Sequence, residues 1–304
     1  MQNSLPTIGV LIPTFQGAGH LPKCLPPLLE SPLKPRVLVI DSSSSDGTAS
    51  LAQSMGAEIV IIPQIEFNHG LTREKGRRLL GTDIVVMVSQ DAYAASPHTL
   101  NKLVRPLVNQ EASIAYARQL PHDGAGFFAS FPRQFNYPAT SHIRSLKDRD
   151  KFGLYTFFCS NSCAAYLNTA LDQIGGFQNV LFGEDTVAVA QLLRLQHSIA
   201  YVAEAEVHHS HDYTLKQEFS RHFDIGLARS SYQHLFDTAE KDTKRGKAYM
   251  KALFSTIAIE HPLMLPYAVL QTACKFAGYQ LGRKSEKASL RFKKFFSSQK
   301  FYWK

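Results

Sequence analysis

Cysteine is scarce: the 304 residues contain four, Cys24, Cys159, Cys163 and Cys274, and none forms a Cys-x-x-Cys pair. A chain this long does not need disulfide staples, so a disulfide framework is excluded and a reducing, cytosolic setting is expected. A long clean hydrophobic run is also missing. Residues 252–282 are rich in apolar side chains, but Glu260, His261, Pro262, Pro266 and Lys275 interrupt them. A membrane span needs about 20 uninterrupted apolar residues. Met1-Gln2-Asn3-Ser4-Leu5 has neither the basic start nor the apolar core of a signal peptide, which speaks against secretion. Most of the chain lacks any charge imbalance. Residues 1–274 carry 24 basic and 24 acidic side chains, and the whole formal net charge of +8 arises in residues 275–304. A uniformly basic nucleic-acid binder is not built this way, and no nucleic acid is expected as a partner.

What is present is a series of short β-branched runs that end in polar residues. Residues 84–88 form an unbroken apolar run, the pattern of a strand covered on both faces, and give way to Ser89, Gln90 and Asp91. Residues 7–13 repeat the pattern and end at Pro13, residues 36–41 end at Asp41, and residues 56–63 read as a further strand. Helix-length segments between them predict βαβ crossovers and a mostly parallel sheet in an α/β fold. In such sheets ligands gather at the carboxyl ends of strands, which makes Asp91 the first candidate site residue, with the capping of a turn as its alternative role. Dinucleotide binding is disfavoured. Gly17 and Gly19 start a G-x-G-x-x-G pattern whose third position is Pro22.

Further candidates follow in order. Asp46 is placed to cap a helix running through Met55. Residues 67–78 read as a turn followed by a basic helix start, either an anion site formed by backbone amides with Arg73 or a solvated helix face. Residues 120–153 read as a long aromatic and basic loop of the kind used for lids and binding, and residues 156–166 as a strand. Phe135-Asn136-Tyr137-Pro138 either shapes a pocket for a ring or packs that loop down. Glu184 and Asp185 open a helix, as dipole complements or with one of them as a general base. Residues 198–202 and 206–211 are strand-like, and on a strand His209 and His211 share a face, a geometry that permits a metal site.

Together these residues resemble the inverting nucleotide-sugar glycosyltransferases of family 2, which have the GT-A fold, and within them the bacterial rhamnosyltransferases of cell-surface polysaccharide synthesis. The family pattern is carried by residues 10–15, residues 39–48, and Gly175-Gly176-Phe177 followed by Glu184-Asp185. The subgroup pattern is carried by residues 67–73, Ser89-Gln90-Asp91-Ala92, Phe135-Asn136-Tyr137-Pro138 and residues 209–214. The resemblance implies a Rossmann-like mixed sheet flanked by helices and a donor site made by Pro13, Thr14, Phe15, Asp41, Asn68, His69, Gly70, Arg73, Gln90 and Asp91. In it Asp41 would accept from the base, and Arg73 with the amides near Gly70 would add charge at the leaving diphosphate. Asp91 would be the surviving acid of a DxD motif whose second acid position is Tyr93, with His209 or His211 completing a site for Mg2+ or Mn2+. Asp185 would be the general base, with Glu184 as the second candidate. The single displacement it implies needs no covalent nucleophile, in keeping with the lack of a Ser-His-Asp or Cys-His arrangement at motif spacing.

The expected domain organisation is residues 1–235 as the transferase and residues 236–304 as a helical, basic extension, which includes a charged stretch at 240–247. The tail from residue 290 interleaves aromatics with lysines, as anchors on anionic membranes do; a solvated tail or one packed on the domain is the alternative. The expected partners are a nucleotide-sugar donor, dTDP-L-rhamnose by resemblance, a saccharide or lipid-linked acceptor, and an anionic membrane surface. Localisation is expected to be cytoplasmic and peripheral at the inner face of the cell membrane. Two other readings stay open: the same fold with a UDP- or GDP-hexose donor, and a non-catalytic nucleotide-sugar or membrane-docking scaffold.

Overall fold

A computed structural model describes residues 6–236 and 243–303. The N-terminal pentapeptide, the first part of the charged stretch, the chain just past the expected boundary and Lys304 lie outside the described residues. The β-branched runs form the centre of one mixed sheet. Its strands are β1 (Ile8–Thr14), β2 (Arg36–Asp41), β3 (Glu58–Ile61), β4 (Ile84–Val88), β5 (Tyr93–Ala94), β6 (Ile114–Leu120), β7 (His142–Arg144), β8 (Cys163–Leu167) and β9 (Ile199–His208). They run in the order β3-β2-β1-β4-β8-β6-β9-β5, with β7 paired to β9. From β3 to β4 all neighbours are parallel; β8 then pairs antiparallel with both β4 and β6, while β6 and β9 are again parallel. All five residues of β4 are buried, as the unbroken apolar run requires of a central strand.

Helices cover both faces. On the N-terminal side these are α1 (Thr48–Ser54), α2 (His69–Leu80) and α3 (Thr99–Val108). Beyond them lie α4 (Phe127–Asn136), α5 (Glu184–Arg194) and α6 (Leu215–Ser231). One core, with Leu11, Val85 and Tyr116, packs against α5; the other, with Val10, Val86 and Leu103, packs against α3. Asp46 serves the start of α1 as expected, accepting the Thr48 amide at 3.1 Å, although the position directly before the helix is Gly47.

Three expectations about local structure are corrected. The stretch 120–153 is no loop: α4 and β7 occupy much of it, because Phe127, Phe131 and Phe135 fall on one helical face and bury against the C-terminal helices. The strand expected over 156–166 is confined to Cys163–Leu167; a 3-10 turn spans Gly153–Phe157, where Tyr155 and Phe157 are buried by tertiary contacts. His209 and His211 stand just past the end of β9 rather than on it.

The C-terminal extension consists of α7 (Thr243–Glu260), α8 (Leu265–Lys284) and α9 (Leu290–Phe296). Pro262 lies in the break between α7 and α8, and no helix among the described residues is long and apolar enough to cross a membrane. Helix α8 lies directly on α6. A Cβ at Gly282 would collide with the Phe223 carbonyl oxygen, and one at Gly278 with the Phe219 carbonyl, so the two backbones touch. The tail does not stand free as an anchor. Phe296 packs on Phe219 and Phe223, and Phe301 on Phe67.

Candidate active site

The carboxyl ends of β1, β2 and β4 form the floor of a cavity of about 260 Å3 lined by Pro13, Thr14, Phe15, His69, Arg73, Gln90 and Asp91 among others. Two of the sequence-derived residues, Asp41 and Asn68, hold this floor together rather than face the space. Asp41 is 1% exposed, and its carboxylate accepts from Thr14 Oγ1 at 3.0 Å and from the Ser44 amide and hydroxyl at 2.8 and 2.6 Å. It does not line the cavity. Asn68 caps α2 by accepting the Gly70 and Leu71 amides at 3.0 and 2.9 Å, so the amides expected to meet an anion are already engaged. Gly70 is small because a Cβ there would strike the Gln178 carbonyl oxygen. Gln90 donates to the Phe15 carbonyl at 3.1 Å and accepts its amide at 2.9 Å, clasping the turn after β1.

Asp91, His209 and His211 come together although 118 positions separate the first from the second. Each offers a ligand atom, and the three atoms lie within 4.8 Å of one another. His209 Nε2 is 3.5 Å from Asp91 Oδ1, His211 Nε2 is 3.5 Å from Asp91 Oδ2, and the two Nε2 atoms are 3.1 Å apart. The tautomer of His209 follows from its neighbour. Gln119 spends its amide nitrogen on Ser160 at 2.8 Å, which turns its oxygen to His209 Nδ1 at 3.0 Å and leaves the Nε2 lone pair facing the cluster. Burial, the main cause, holds both imidazoles below their ordinary pKa, His211 at about 4. Burial alone would raise the Asp91 carboxyl; the two imidazoles beside it outweigh that and hold it low. Lone pairs of two neutral imidazoles and a carboxylate thus converge, and a cation placed among them removes their mutual repulsion. The separations suit it: adjacent ligands about 2.1 Å from an octahedral ion lie about 3.0 Å apart. Tyr93, in the second acid position, turns away and shares a 2.7 Å hydrogen bond with His20.

Both acids of α5 sit in its first turn, after Gly183 with φ of 79°. Their environments differ. Glu184 is buried, pairs with Arg73 at 3.1 Å and accepts from Asn161 Nδ2 at 3.0 Å; burial would raise its carboxyl, but Arg73, His69 and Asn161 together hold it low. Asp185 has no cationic partner among the described residues and accepts only the Asn161 and Thr186 amides and the Thr186 hydroxyl. Burial, then the Glu184 charge, push it up to about 6. One carboxylate is locked in an ion pair and its neighbour is poised to take a proton near neutral pH. Asp185, Glu184, Asp91, His209 and His211 all line one further cavity of about 570 Å3, which meets the first at His69, Arg73, Ser89 and Asp91.

Arginines in this cavity escaped the sequence reading, among them Arg133 and Arg221. Arg133 donates through Nε to the His209 carbonyl at 2.6 Å, and Arg221 lies over the Phe182 and Tyr213 rings at 4.8 and 5.5 Å. Neither has a carboxylate partner among the described residues, so both guanidiniums remain available to an anion. The only available signal was their basic character, which they share with many surface residues. Both also line a third and larger cavity, about 1070 Å3, between α4, α6, α7 and α8. Arg245 there has its guanidinium 3.9 Å from the centre of the Tyr155 ring.

The family model Glycosyl transferase family 2 matches residues 9–175. The O-antigen chain rhamnosyltransferase RfbN of Salmonella typhimurium is 32% identical over 97% of this chain and 96% of its own length. The O-antigen chain rhamnosyltransferase WbaN of Salmonella anatum is 32% identical over 98% of this chain and 96% of its own. Among solved structures, the mannosyltransferase PcManGT from Pyrobaculum calidifontis, in complex with GDP-Man and Mn2+, superposes with a TM-score of 0.60 at 16% identity, covering 94% of this chain and 84% of that one. TarS 1-349 of S. aureus, in complex with UDP-GlcNAc, gives 0.59 at 11% identity over 92% of this chain and 91% of that one. At such identities the likeness speaks for the fold alone.

Proposed function

Because this chain belongs to glycosyl transferase family 2, we propose that it moves L-rhamnose from dTDP-L-rhamnose onto a lipid-linked saccharide in cell-surface polysaccharide synthesis. That it is a glycosyltransferase with the GT-A fold follows from the family and its fold neighbours; rhamnose follows the named activity of its two relatives from Salmonella. The observation that carries the site reading is one cavity lined by the Asp91, His209 and His211 cluster and by Asp185. Asp185 accepts the proton of the acceptor hydroxyl as that oxygen attacks the anomeric carbon. The new C–O bond forms as the bond to the diphosphate breaks on the opposite side, so configuration inverts and the electron pair leaves with the nucleoside diphosphate. Arg133 and Arg221 hold the departing charge, and Arg73 keeps Glu184 ionised beside Asp185 without competing for the proton. Asp91, His209 and His211 would hold Mg2+ or Mn2+, whose charge neutralises the diphosphate when it is bound.

The acceptor side of this reading is the third cavity, whose Phe135, Tyr155 and Tyr249 suit sugar rings and whose Arg245 suits a phosphate. Residues 1–235 then act as the catalytic unit, and α7 and α8 of the C-terminal extension wall the acceptor side. Ile259 and Leu263, 80% and 95% exposed at the corner of α7 and α8, would meet the inner face of the membrane that carries the acceptor.

The test is turnover of a panel of dTDP-, UDP- and GDP-sugars with a lipid-linked acceptor, with and without EDTA, for wild type and Asp185→Asn. Turnover of dTDP-L-rhamnose that EDTA abolishes is expected, with Asp185→Asn slower by on the order of 100- to 10,000-fold. Retained activity in Asp185→Asn removes it as the base, and preference for a UDP- or GDP-hexose replaces the donor.

A further inference from the structure

The last described residues double back onto the smallest of the three cavities. Ser298 donates from its amide and hydroxyl to Asp224 Oδ2 of α6 at 2.8 and 2.5 Å. Asp224 is fully buried, with no cation in reach of its carboxylate among the described residues, so these two donors specify where the tail attaches. One residue on, Gln299 Oε1 lies 3.3 Å from His69 Nε2. Phe301 then meets Phe67 edge to face, with ring centroids 5.3 Å apart, and joins the cavity wall.

This cavity touches its larger neighbour through His69, Arg73, Ser89 and Asp91. The lining it does not share is of another kind: Pro13, Phe15, Phe67 and Phe301 are flat and apolar, and Ser42 and Gln64 add a few hydrogen-bonding groups. An apolar, ring-lined recess with a polar edge, opening at its far side onto cations and a metal-ligand cluster, matches a nucleobase joined to a diphosphate. Phe301 is the part of that wall supplied by the far end of the chain.

We propose that residues 298–303 are part of the donor site, with Phe301 as an aromatic wall for the nucleobase. This rests on the donor reading above. The end of the tail thus serves the bound nucleotide, and Phe296 and Phe301 are drawn away from any membrane.

Calorimetric titration of the full-length chain with dTDP in the presence of Mg2+ tests it, for wild type, Phe301→Ala, Phe301→Tyr and Phe295→Ala. Phe301→Ala is expected to bind on the order of tenfold more weakly, the loss of one aromatic contact with a base. Phe301→Tyr keeps the ring and stays near wild type. Phe295, 75% exposed and not part of the cavity wall, leaves affinity unchanged when replaced. In turnover, the same loss raises the donor KM of Phe301→Ala with kcat nearly unchanged. Wild-type binding matched by Phe301→Ala overturns the inference, most directly if its melting temperature falls while dTDP affinity holds. No dTDP binding by wild type overturns the donor reading itself and this inference with it.

Discussion

At the scale of single residues, the site depends on two adjacent carboxylates being unlike. Glu184 has a guanidinium and an amide; Asp185 has backbone amides, a hydroxyl and a negatively charged neighbour. As the proposed base, Asp185 acts in its ionised form, so kcat/KM is expected to fall about tenfold per pH unit below its pKa of about 6 and to level off above it. Glu184→Gln removes the neighbouring charge and leaves Arg73 without its partner, and both changes favour ionised Asp185. The acid limb should therefore move to lower pH, and a pH–rate profile with an unmoved limb would disconnect the pair. Which residues matter was partly legible in the chain. Asp91 follows the end of a strand and Asp185 opens a helix, boundaries marked by local pattern, whereas His209 was expected on a strand and stands past its end. The distant partners were not legible: nothing near Asp41 announces that Thr14 reaches its carboxylate, and nothing near His209 announces Gln119, because hydrogen bonds across a fold leave no periodic trace.

Among the elements, the sheet followed from its runs of β-branched residues, while the segment between β6 and β8 did not. Apolar side chains at residues 127, 131 and 135 have helical spacing, yet Pro132 and the surrounding polar residues mask it, and the face acquires meaning only against α7 and α8. The contact of α6 with α8 is closer than side chains permit, and it gives a stability prediction. Gly282→Ala forces a methyl group against the Phe223 carbonyl oxygen and is expected to cost about 1–3 kcal/mol. In thermal unfolding that corresponds to a fall of about 2–4 °C per kcal/mol. An unchanged melting temperature would mean that α8 shifts along α6 at little cost. Since α6 also carries Arg221 and Asp224, loosening this contact should weaken donor binding as well as stability.

For the whole molecule, the basic excess and the peak of apolar exposure fall at different places in the C-terminal region, although Phe276, Leu290 and Phe295 are exposed within the basic stretch. The basic excess lies at residues 275–304, whereas the most exposed large apolar side chain among the described residues is Leu263, at the corner between α7 and α8. Sedimentation with liposomes containing anionic lipid is therefore expected to decrease for Leu263→Asp combined with Ile259→Asp, and to change little for Phe301→Ala. Equal sedimentation of wild type and the double variant would remove the membrane from that corner. The sequence by itself determined the class of sheet, the strand ends on which Asp41 and Asp91 stand, and the family motifs. These are local patterns, set by side-chain period and turn chemistry within a few residues. Only the tertiary structure decided that His209 and His211 close on Asp91, that Asp185 rather than Glu184 is free to accept a proton, and that the tail ends beside Phe67. Each of these joins groups separated by many positions or sets a pKa through burial, and burial exists only once the chain has folded.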